Sequence, residues 1–207
     1  MSGFFLAVEG VDGVGKSTLL AGLRSRFEAE GREVIVVREP GGTPLGEAVR
    51  TLLLHESKVP IGAEAQMLLF LASRVQLWEE QIAPTLARGA VVLSDRYHLS
   101  TLVYQGIAGE LGEERATEVC QAVLKERRPD LHVILELSEE EAARRRATRP
   151  SEEPDRFEEK REFLEKVRAG FEQTTGLPGD RLERVSAEGT PEAVLERVWK
   201  VVERVAT

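Results

Sequence analysis

The residues with the clearest chemical meaning lie in one glycine-rich segment near the start of the chain. The segment 10–17, GVDGVGKS, fits the pattern GxxxxGK[ST], in which glycines let successive backbone N–H groups turn toward a phosphate. Lys16 would neutralise charge between the β- and γ-phosphates, and the Ser17 hydroxyl would ligate Mg²⁺. We therefore predict a nucleoside triphosphate site whose contacts come from Gly10, Val11, Asp12, Gly13, Val14, Gly15, Lys16, Ser17 and Thr18.

This motif does not by itself decide the class of enzyme. GTPases, motor proteins, helicases and small-molecule kinases all carry it. A GTPase of the common kind reads guanine with an Asn-Lys-x-Asp motif, and the sequence contains no asparagine. The GTPase branch is therefore largely excluded.

Three further segments carry candidate ligand-binding side chains. They are REPGGT at 38–43, LLFLASR at 68–74 and SDRY at 94–97. Two of them follow predicted strands, and an open α/β sheet binds ligands at the carboxyl ends of its strands. Asp95 ends an apolar strand, where an acid can orient Mg²⁺ directly or through water. Phe70 and Arg74 are four residues apart on one predicted helix, so they could address one planar ligand; a core phenylalanine beside an exposed arginine is the alternative.

Together these segments resemble the thymidylate kinase family. The family pattern of EGxDGxGKST, REPGG[TS], LLFxAxR and DR[YH] occurs in order and at the family spacing over nearly the whole chain. The resemblance implies a homodimeric P-loop kinase fold with a five-stranded parallel sheet and a lid over the phosphates. It also implies transfer of the γ-phosphoryl group from Mg-ATP to dTMP, giving ADP and dTDP in dTTP synthesis.

The resemblance assigns residues to the base and phosphate of dTMP. By it, Phe70 stacks on thymine and Arg74 donates to an exocyclic carbonyl. Arg50 and Arg96 match the arginines that grip the acceptor phosphate, a task suited to a planar, permanently charged fork. A solvated helix surface remains the alternative for Arg50.

The family pattern also assigns residues to the sugar. Asp12 matches an aspartate that accepts a hydrogen bond from the 3′-hydroxyl, although a carboxylate in a phosphate loop would otherwise repel the triphosphate. Tyr104 matches a tyrosine near the sugar 2′ carbon, and Thr101 is expected at the pyrimidine edge. Both could instead be ordinary helix residues.

A stretch without apolar period, about 147–158, is expected to form a mobile lid. Some family members carry a basic residue inside the phosphate loop, where this chain has Val14. The sequence therefore resembles the bacterial-type subgroup, in which lid arginines close over the phosphates. Arg149 is the first candidate, with Arg145 and Arg156 in support. The alternative is a solvated helix end in which glutamates balance the arginines.

The elements that must position these residues follow from alternating apolar and amphipathic segments. We predict strands at 4–8, 34–37, 91–93, 132–137 and 182–185, and helices at 16–30, 45–55, 63–88, 113–126, 139–147, 160–174 and 191–205. Apolar strands alternating with helices indicate an α/β fold, a three-layer sandwich in which helices cover both faces of a parallel sheet. A chain of 207 residues without a linker is expected to form one domain, 1–207.

Composition excludes several other classes. A formal net charge of −8 argues against a nucleic-acid backbone or an anionic membrane as the main partner. The one cysteine, Cys120, cannot form an internal disulfide, so the cytoplasm is the expected compartment. No apolar run reaches the length of a membrane span, and the first ten residues lack a signal-peptide pattern.

Two other functions remain open from the sequence. A deoxynucleoside kinase, with a hydroxyl acceptor, would need a carboxylate base such as Glu39. A binding module could instead use ATP only as a conformational switch. A phosphate monoester acceptor needs no base, because its second pKa is about 6 and its oxygen is already ionised at neutral pH.

Overall fold

The computed structural model describes residues 2–55, 59–147 and 161–206, and only the backbone of residues 146 and 147. The predicted lid segment lies almost entirely outside these ranges. Arg149 and Arg156, two of the three candidate lid arginines, also lie outside the described residues.

Five parallel strands form one sheet in the order β2-β3-β1-β4-β5. They are β1 (Phe4–Glu9), β2 (Val34–Arg38), β3 (Val91–Asp95), β4 (Leu131–Glu136) and β5 (Leu182–Ser186). All five predicted strands are confirmed, with ends displaced by one or two residues. Val8 and Arg38 both pair with Asp95, so the carboxyl ends of β1, β2 and β3 lie level with one another. The phosphate loop and the segments 38–43 and 94–97 therefore start at the same edge of the sheet.

Helices cover both faces of this sheet, as predicted. They are α1 (Lys16–Ala29), α2 (Pro44–Arg50), α3 (Ala63–Leu77), α4 (Ala83–Ala87), α5 (His98–Thr101), α6 (Glu113–Leu124), α7 (Glu139–Ala147), α8 (Arg161–Gln173) and α9 (Pro191–Val202). The predicted helices 45–55 and 63–88 are interrupted by wider π-helical turns at Thr51–His55 and Trp78–Ile82. Each predicted helix is thus present, but two of them change their winding on the way.

The predicted elements do not include one helical segment, α5 with its π-helical continuation Leu102–Ile107. Most of its side chains are buried, and they lie on all sides of the helix. A helix buried all round shows no alternation of apolar and polar faces, so the periodicity test does not detect it.

The core lies on both faces of the sheet because side chains alternate along each strand. On one face, Phe4, Leu6 and Val8 of β1 pack against α1 and α9. On the other face, Phe5 and Ala7 pack against residues that include Leu77, Ile82 and Tyr97. Every residue of β1 is buried, as expected for a central parallel strand covered by helices.

A buried polar cluster ties α5 to β4 and to the turn before β5. The Nε2 atom of His98 lies 2.7 Å from Oδ2 of Asp180, and the His98 and His132 ring centroids are 4.5 Å apart. Asp180 also accepts hydrogen bonds from the N–H of Leu177 and from Arg128, so both of its oxygens are engaged within the protein. Burial lowers the pKa of His98 and lowers that of His132 further, with the neighbouring His98 adding to the effect.

These lowered pKa values predict a loss of stability in mild acid. Between the folded and unfolded pKa values the unfolded chain binds more protons, so this contribution is complete above about pH 6.5 and declines below it. Buried Glu9 and Glu39 have raised pKa values and act in the opposite sense, so a variant must isolate the histidine effect. Between pH 7.5 and 5.5 the parent should lose about 1 kcal/mol more unfolding free energy than His132→Leu, measured by urea denaturation.

The exposed His55 provides the control. His55→Gln should lose as much unfolding free energy between pH 7.5 and 5.5 as the parent does. Equal losses in the parent and in His132→Leu would contradict the prediction.

Candidate active site

The carboxyl ends of β1, β2 and β3 open into a cavity of about 790 Å³. It brings together residues predicted for both substrates, namely Asp12, Gly13, Gly15, Lys16, Ser17, Arg50, Phe70, Arg74, Asp95, Arg96, Thr101 and Tyr104. The cavity is also lined by Glu39, Ser100 and Gln105, to which the sequence analysis gave no role in dTMP binding. Gly10, Val11, Val14, Thr18 and Arg145, the remaining residues predicted at the triphosphate, do not line it.

The phosphate loop has the backbone geometry that its glycines allow. Gly10, Gly13 and Gly15 have φ angles of 131°, 90° and 100°, a region that favours glycine. A Cβ atom on Gly10 would lie 2.7 Å from the carbonyl oxygen of Leu135, so a larger residue does not fit there. The ammonium of Lys16 donates to the carbonyl oxygens of Gly10 and Val11, at 3.2 and 3.3 Å. The loop is therefore folded around its own lysine.

Asp12 has the partners that its place in a phosphate loop requires. Its Oδ1 atom lies 2.8 Å from Nη2 of Arg96 and 3.5 Å from Nζ of Lys16. Burial opposes ionisation, but the charges of Arg96 and Lys16 hold the pKa of Asp12 well below its usual range. The carboxylate is thus ionised, and Arg96 and Lys16 balance its charge.

Arg96 is held at several points around this ion pair. Its backbone φ of 70° is uncommon for a residue other than glycine. Its Nη1 atom donates to the carbonyl oxygen of Gly10 and to Oγ of Ser100, both at 3.1 Å. Its Nη2 atom donates to the hydroxyl of Tyr104 at 3.3 Å as well as to Asp12. The guanidinium is therefore fixed at the boundary between the loop and the rest of the cavity.

Arg74 and Glu39 form a buried ion pair in the cavity wall. Nε of Arg74 lies 2.5 Å from Oε2 of Glu39, and the side chains are 2% and 3% exposed. The guanidinium carbon lies 5.0 Å from the ring centroid of Tyr97. Burial raises the pKa of Glu39 to about 7, although Arg74 acts against the shift. The alternative of an exposed arginine beside a core phenylalanine is therefore wrong for Arg74.

The remaining acceptor candidates lie around this pair. Phe70 is half-buried, and Arg50 donates from Nη1 to the carbonyl oxygen of Pro40 at 3.1 Å. Thr101 is buried, and Gln105 lies four residues further along the same helical segment. Nε2 of Gln105 is buried and has no hydrogen-bond partner among the described residues. That spacing from Thr101 was the one sequence signal that could have identified Gln105.

Arg145 connects α7 to the phosphate loop and to the turn after β5. Its guanidinium donates to Glu141 at 2.8 Å, to the carbonyl oxygen of Ala187 at 3.2 Å and to that of Val14 at 3.5 Å. Ala187 belongs to the turn after β5. Arg145 therefore lies between the phosphate loop and that turn, although it does not line the main cavity.

Ser17 and Asp95 line the cavity, and their side-chain oxygen atoms can act as metal ligands. Hydroxyl and carboxylate oxygens are the ligands that Mg²⁺ prefers, and Mg²⁺ usually keeps several waters and substrate oxygens as its other ligands. The donor set of these two side chains therefore fits the metal that the sequence predicts.

Comparison with known proteins agrees with the resemblance seen in the four sequence motifs. The family model described as thymidylate kinase matches residues 8–198. The chain belongs to the thymidylate kinase family. Proteins named thymidylate kinase that are similar to it come from Protochlamydia amoebophila (41% identical, covering 97% of this chain and 92% of the relative), Cereibacter sphaeroides (43%, covering 94% and 92%) and Mesoplasma florum (38%, covering 96% and 94%).

This membership confirms the expected P-loop kinase fold and the resemblance read from the four motifs. Among the described residues, no helix is long and apolar enough to cross a membrane.

The buried ion pair between Arg74 and Glu39 generates a stability prediction. Arg74→Ala should reduce the free energy of unfolding by about 3 kcal/mol, because it leaves the Glu39 carboxylate buried without its cation. The double variant Glu39→Gln/Arg74→Met should recover at least half of this loss, since it removes both charges. Urea denaturation at pH 7.5 measures both values.

The exposed ion pair between Arg24 and Glu28, with a distance of 2.7 Å from Nε to Oε1, serves as the control. Arg24→Ala should change the stability little, because exposed pairs are screened by water. A double variant that is less stable than Arg74→Ala alone would contradict the account of the buried pair.

Proposed function

We propose that this chain, as a member of the thymidylate kinase family, transfers the γ-phosphoryl group of ATP to the 5′-phosphate of dTMP. The products are ADP and dTDP, a step in dTTP synthesis. The proposal rests on one observation, a single cavity with two parts. One part is the phosphate loop, and the other contains Arg50, Arg96 and the wall formed by Phe70 and Arg74. The first part suits a triphosphate, and the second suits a nucleoside monophosphate.

The base of dTMP binds against the wall formed by α3 and the helical segment after β3. Phe70 stacks on the thymine ring, and Arg74 donates to an exocyclic carbonyl from a position fixed by Glu39. Thr101 and Gln105 lie at the pyrimidine edge. The unpartnered Nε2 of Gln105 supports this assignment, because a buried amide without a partner is costly unless a ligand supplies one.

The sugar and phosphate of dTMP bind nearer to the loop. Tyr104 packs beside the 2′ carbon, and Asp12 accepts a hydrogen bond from the 3′-hydroxyl. Arg50 and Arg96 hold the phosphate. In the protein without nucleotide, Arg96 is paired with Asp12. The guanidinium of Arg96 is therefore already in place when the phosphate of dTMP binds, and it needs little reorganisation.

ATP binds with its phosphates on the loop. The backbone N–H groups of residues 10–18 and the ammonium of Lys16 contact the phosphates, aided by the positive end of α1. Ser17 and Asp95 would hold Mg²⁺, which neutralises charge on the β- and γ-phosphates when bound. Arg145 supports the donor site from its place between the loop and the turn at Ala187.

The chain's own task in the reaction is to place two anions in line and to balance their charge. The acceptor phosphate is already ionised, so no side chain has to remove a proton. Lys16, Arg96 and a lid arginine supply positive charge where negative charge develops during transfer. We assign this last role to Arg149, supported by Arg145 and Arg156, on a lid at about 147–158 of one domain covering 1–207.

The proposal also covers the oligomeric state and the cellular compartment of the enzyme. We expect a homodimer, from the family resemblance. The single cysteine keeps the cytoplasm as the expected compartment.

Nothing in the described part of the site favours the two alternative functions. A deoxynucleoside kinase would need a free carboxylate base, but Glu39 is buried and bonded to Arg74. A non-catalytic switch would not require residues for a second nucleotide. An assay of ADP release with dTMP, dUMP, CMP, AMP, GMP and thymidine tests the proposal. Turnover should be fastest with dTMP, and turnover of AMP or GMP without turnover of dTMP would exclude the proposed function.

The lid assignment predicts a selective loss of turnover. Arg149→Ala should lower kcat by about 10³-fold with little change in the KM for dTMP, because the charge would act on the transferred group. Normal kcat in Arg149→Ala with a loss in Arg145→Ala or Arg156→Ala would move the role to another arginine. Normal kcat in all three variants would exclude the lid mechanism.

Gln105 generates the opposite kinetic prediction. Gln105→Leu should raise the KM for dTMP about tenfold and leave kcat nearly unchanged, because a contact to the base is the same before and during transfer. Gln121→Leu, on the exposed side of α6, is the matched control and should change neither constant. A fall in kcat at unchanged KM would contradict the placement of Gln105 at the base.

A further inference from the structure

Glu9 is a fully buried carboxylate to which the proposed function gives no task. It is the last residue of β1 and directly precedes the phosphate loop. The other five residues of β1 are apolar, as suits a strand inside the core. Burial raises the pKa of Glu9, against the hydrogen bonds from Ser100 and Tyr97 and the charge of Arg96. A group placed at this cost needs a structural or functional reason.

Both oxygens of Glu9 accept hydrogen bonds from the segment that follows Arg96. Oε1 accepts from the backbone N–H of Tyr97 at 2.8 Å, and Oε2 accepts from the hydroxyl of Ser100 at 2.5 Å. Tyr97 is the residue before the first turn of α5, and its own side chain makes no cap. Glu9, on strand β1, therefore caps the N-terminus of α5. It also fixes the backbone immediately after the left-handed conformation at Arg96.

Glu9 also sets the direction of a hydrogen-bond chain. A serine hydroxyl has one proton, and Ser100 uses it toward the carboxylate of Glu9. The oxygen of Ser100 is then left to accept, and it accepts from Nη1 of Arg96 at 3.1 Å. Nη2 of Arg96 in turn donates to Asp12, and Arg96 lines the cavity. The orientation of the guanidinium thus depends on an acceptor two contacts away.

We propose that Glu9 is a positioning residue that, through Ser100 and the turn at Tyr97, aims the guanidinium of Arg96 at the phosphate of the acceptor nucleotide. The inference rests on the proposed function, which places that phosphate at Arg96. Glu9 itself touches no substrate.

The test compares two ligands that differ only in the phosphate. Glu9→Gln keeps the size of the side chain and a carbonyl for the N–H of Tyr97, but its NH₂ group cannot accept the proton of Ser100. Calorimetry should show dTMP binding weakened about tenfold or more and thymidine binding changed less than about twofold, because thymidine has no phosphate for Arg96 to hold. In an Arg96→Ala background, Glu9→Gln should weaken dTMP binding no further.

Glu39→Gln is the matched control, because it also turns a buried carboxylate in the same region into an amide. It acts on Arg74 beside the base, so it should weaken dTMP and thymidine in the same proportion. If Glu9→Gln does not fold, as judged by its circular dichroism melting curve, Ser100→Ala replaces it and should weaken dTMP selectively by about threefold or more.

Equal weakening of dTMP and thymidine by the variant would overturn the inference, since that is the result of general damage to the site. Unchanged binding of both ligands would overturn it as well. A parent protein that binds no dTMP would instead contradict the proposed function, so the two failures are distinguishable.

Discussion

The ion pair between Asp12 and Arg96 is the interaction on which the geometry of the site depends. It joins the phosphate loop after β1 to the turn after β3, so it connects the proposed donor half of the cavity to the proposed acceptor half. Asp12 gives the loop a negative charge that would otherwise oppose a triphosphate, and Arg96 with Lys16 balances it. The negative charge of Asp12 is therefore balanced before any nucleotide arrives, and the cations beside it are already oriented.

Behind this pair, buried charges and polar groups on one side of the sheet hold the cavity wall in shape. Glu39 fixes Arg74, Glu9 fixes the turn that carries Arg96, and Asp180 fixes His98. Each buried carboxylate loses solvation, which is unfavourable unless partners are supplied within the protein. These buried carboxylates occur where they orient a neighbouring side chain or turn. The opposite face of the sheet is packed with apolar residues.

The sequence was sufficient for the strands and the phosphate loop, because apolar runs and glycine spacing are local signals. It was not sufficient for α5 and its continuation, whose side chains are buried all round and show no period. It also did not identify Gln105 as a cavity residue or Glu9 as the acceptor for Ser100. Those assignments depend on which residues meet across the sheet, as with Glu9 and Ser100, which are 91 positions apart.

The central claim is that one cavity holds the phosphates of donor and acceptor next to each other and in line. It is tested most directly by calorimetry with a dinucleotide in which adenosine and thymidine are joined 5′ to 5′ through four or five phosphates. The account predicts that this molecule binds at least 100-fold more tightly than ATP or dTMP alone and that either nucleotide displaces it, because both halves occupy their sites at once. Binding no tighter than that of ATP, with no displacement by dTMP, would contradict the claim.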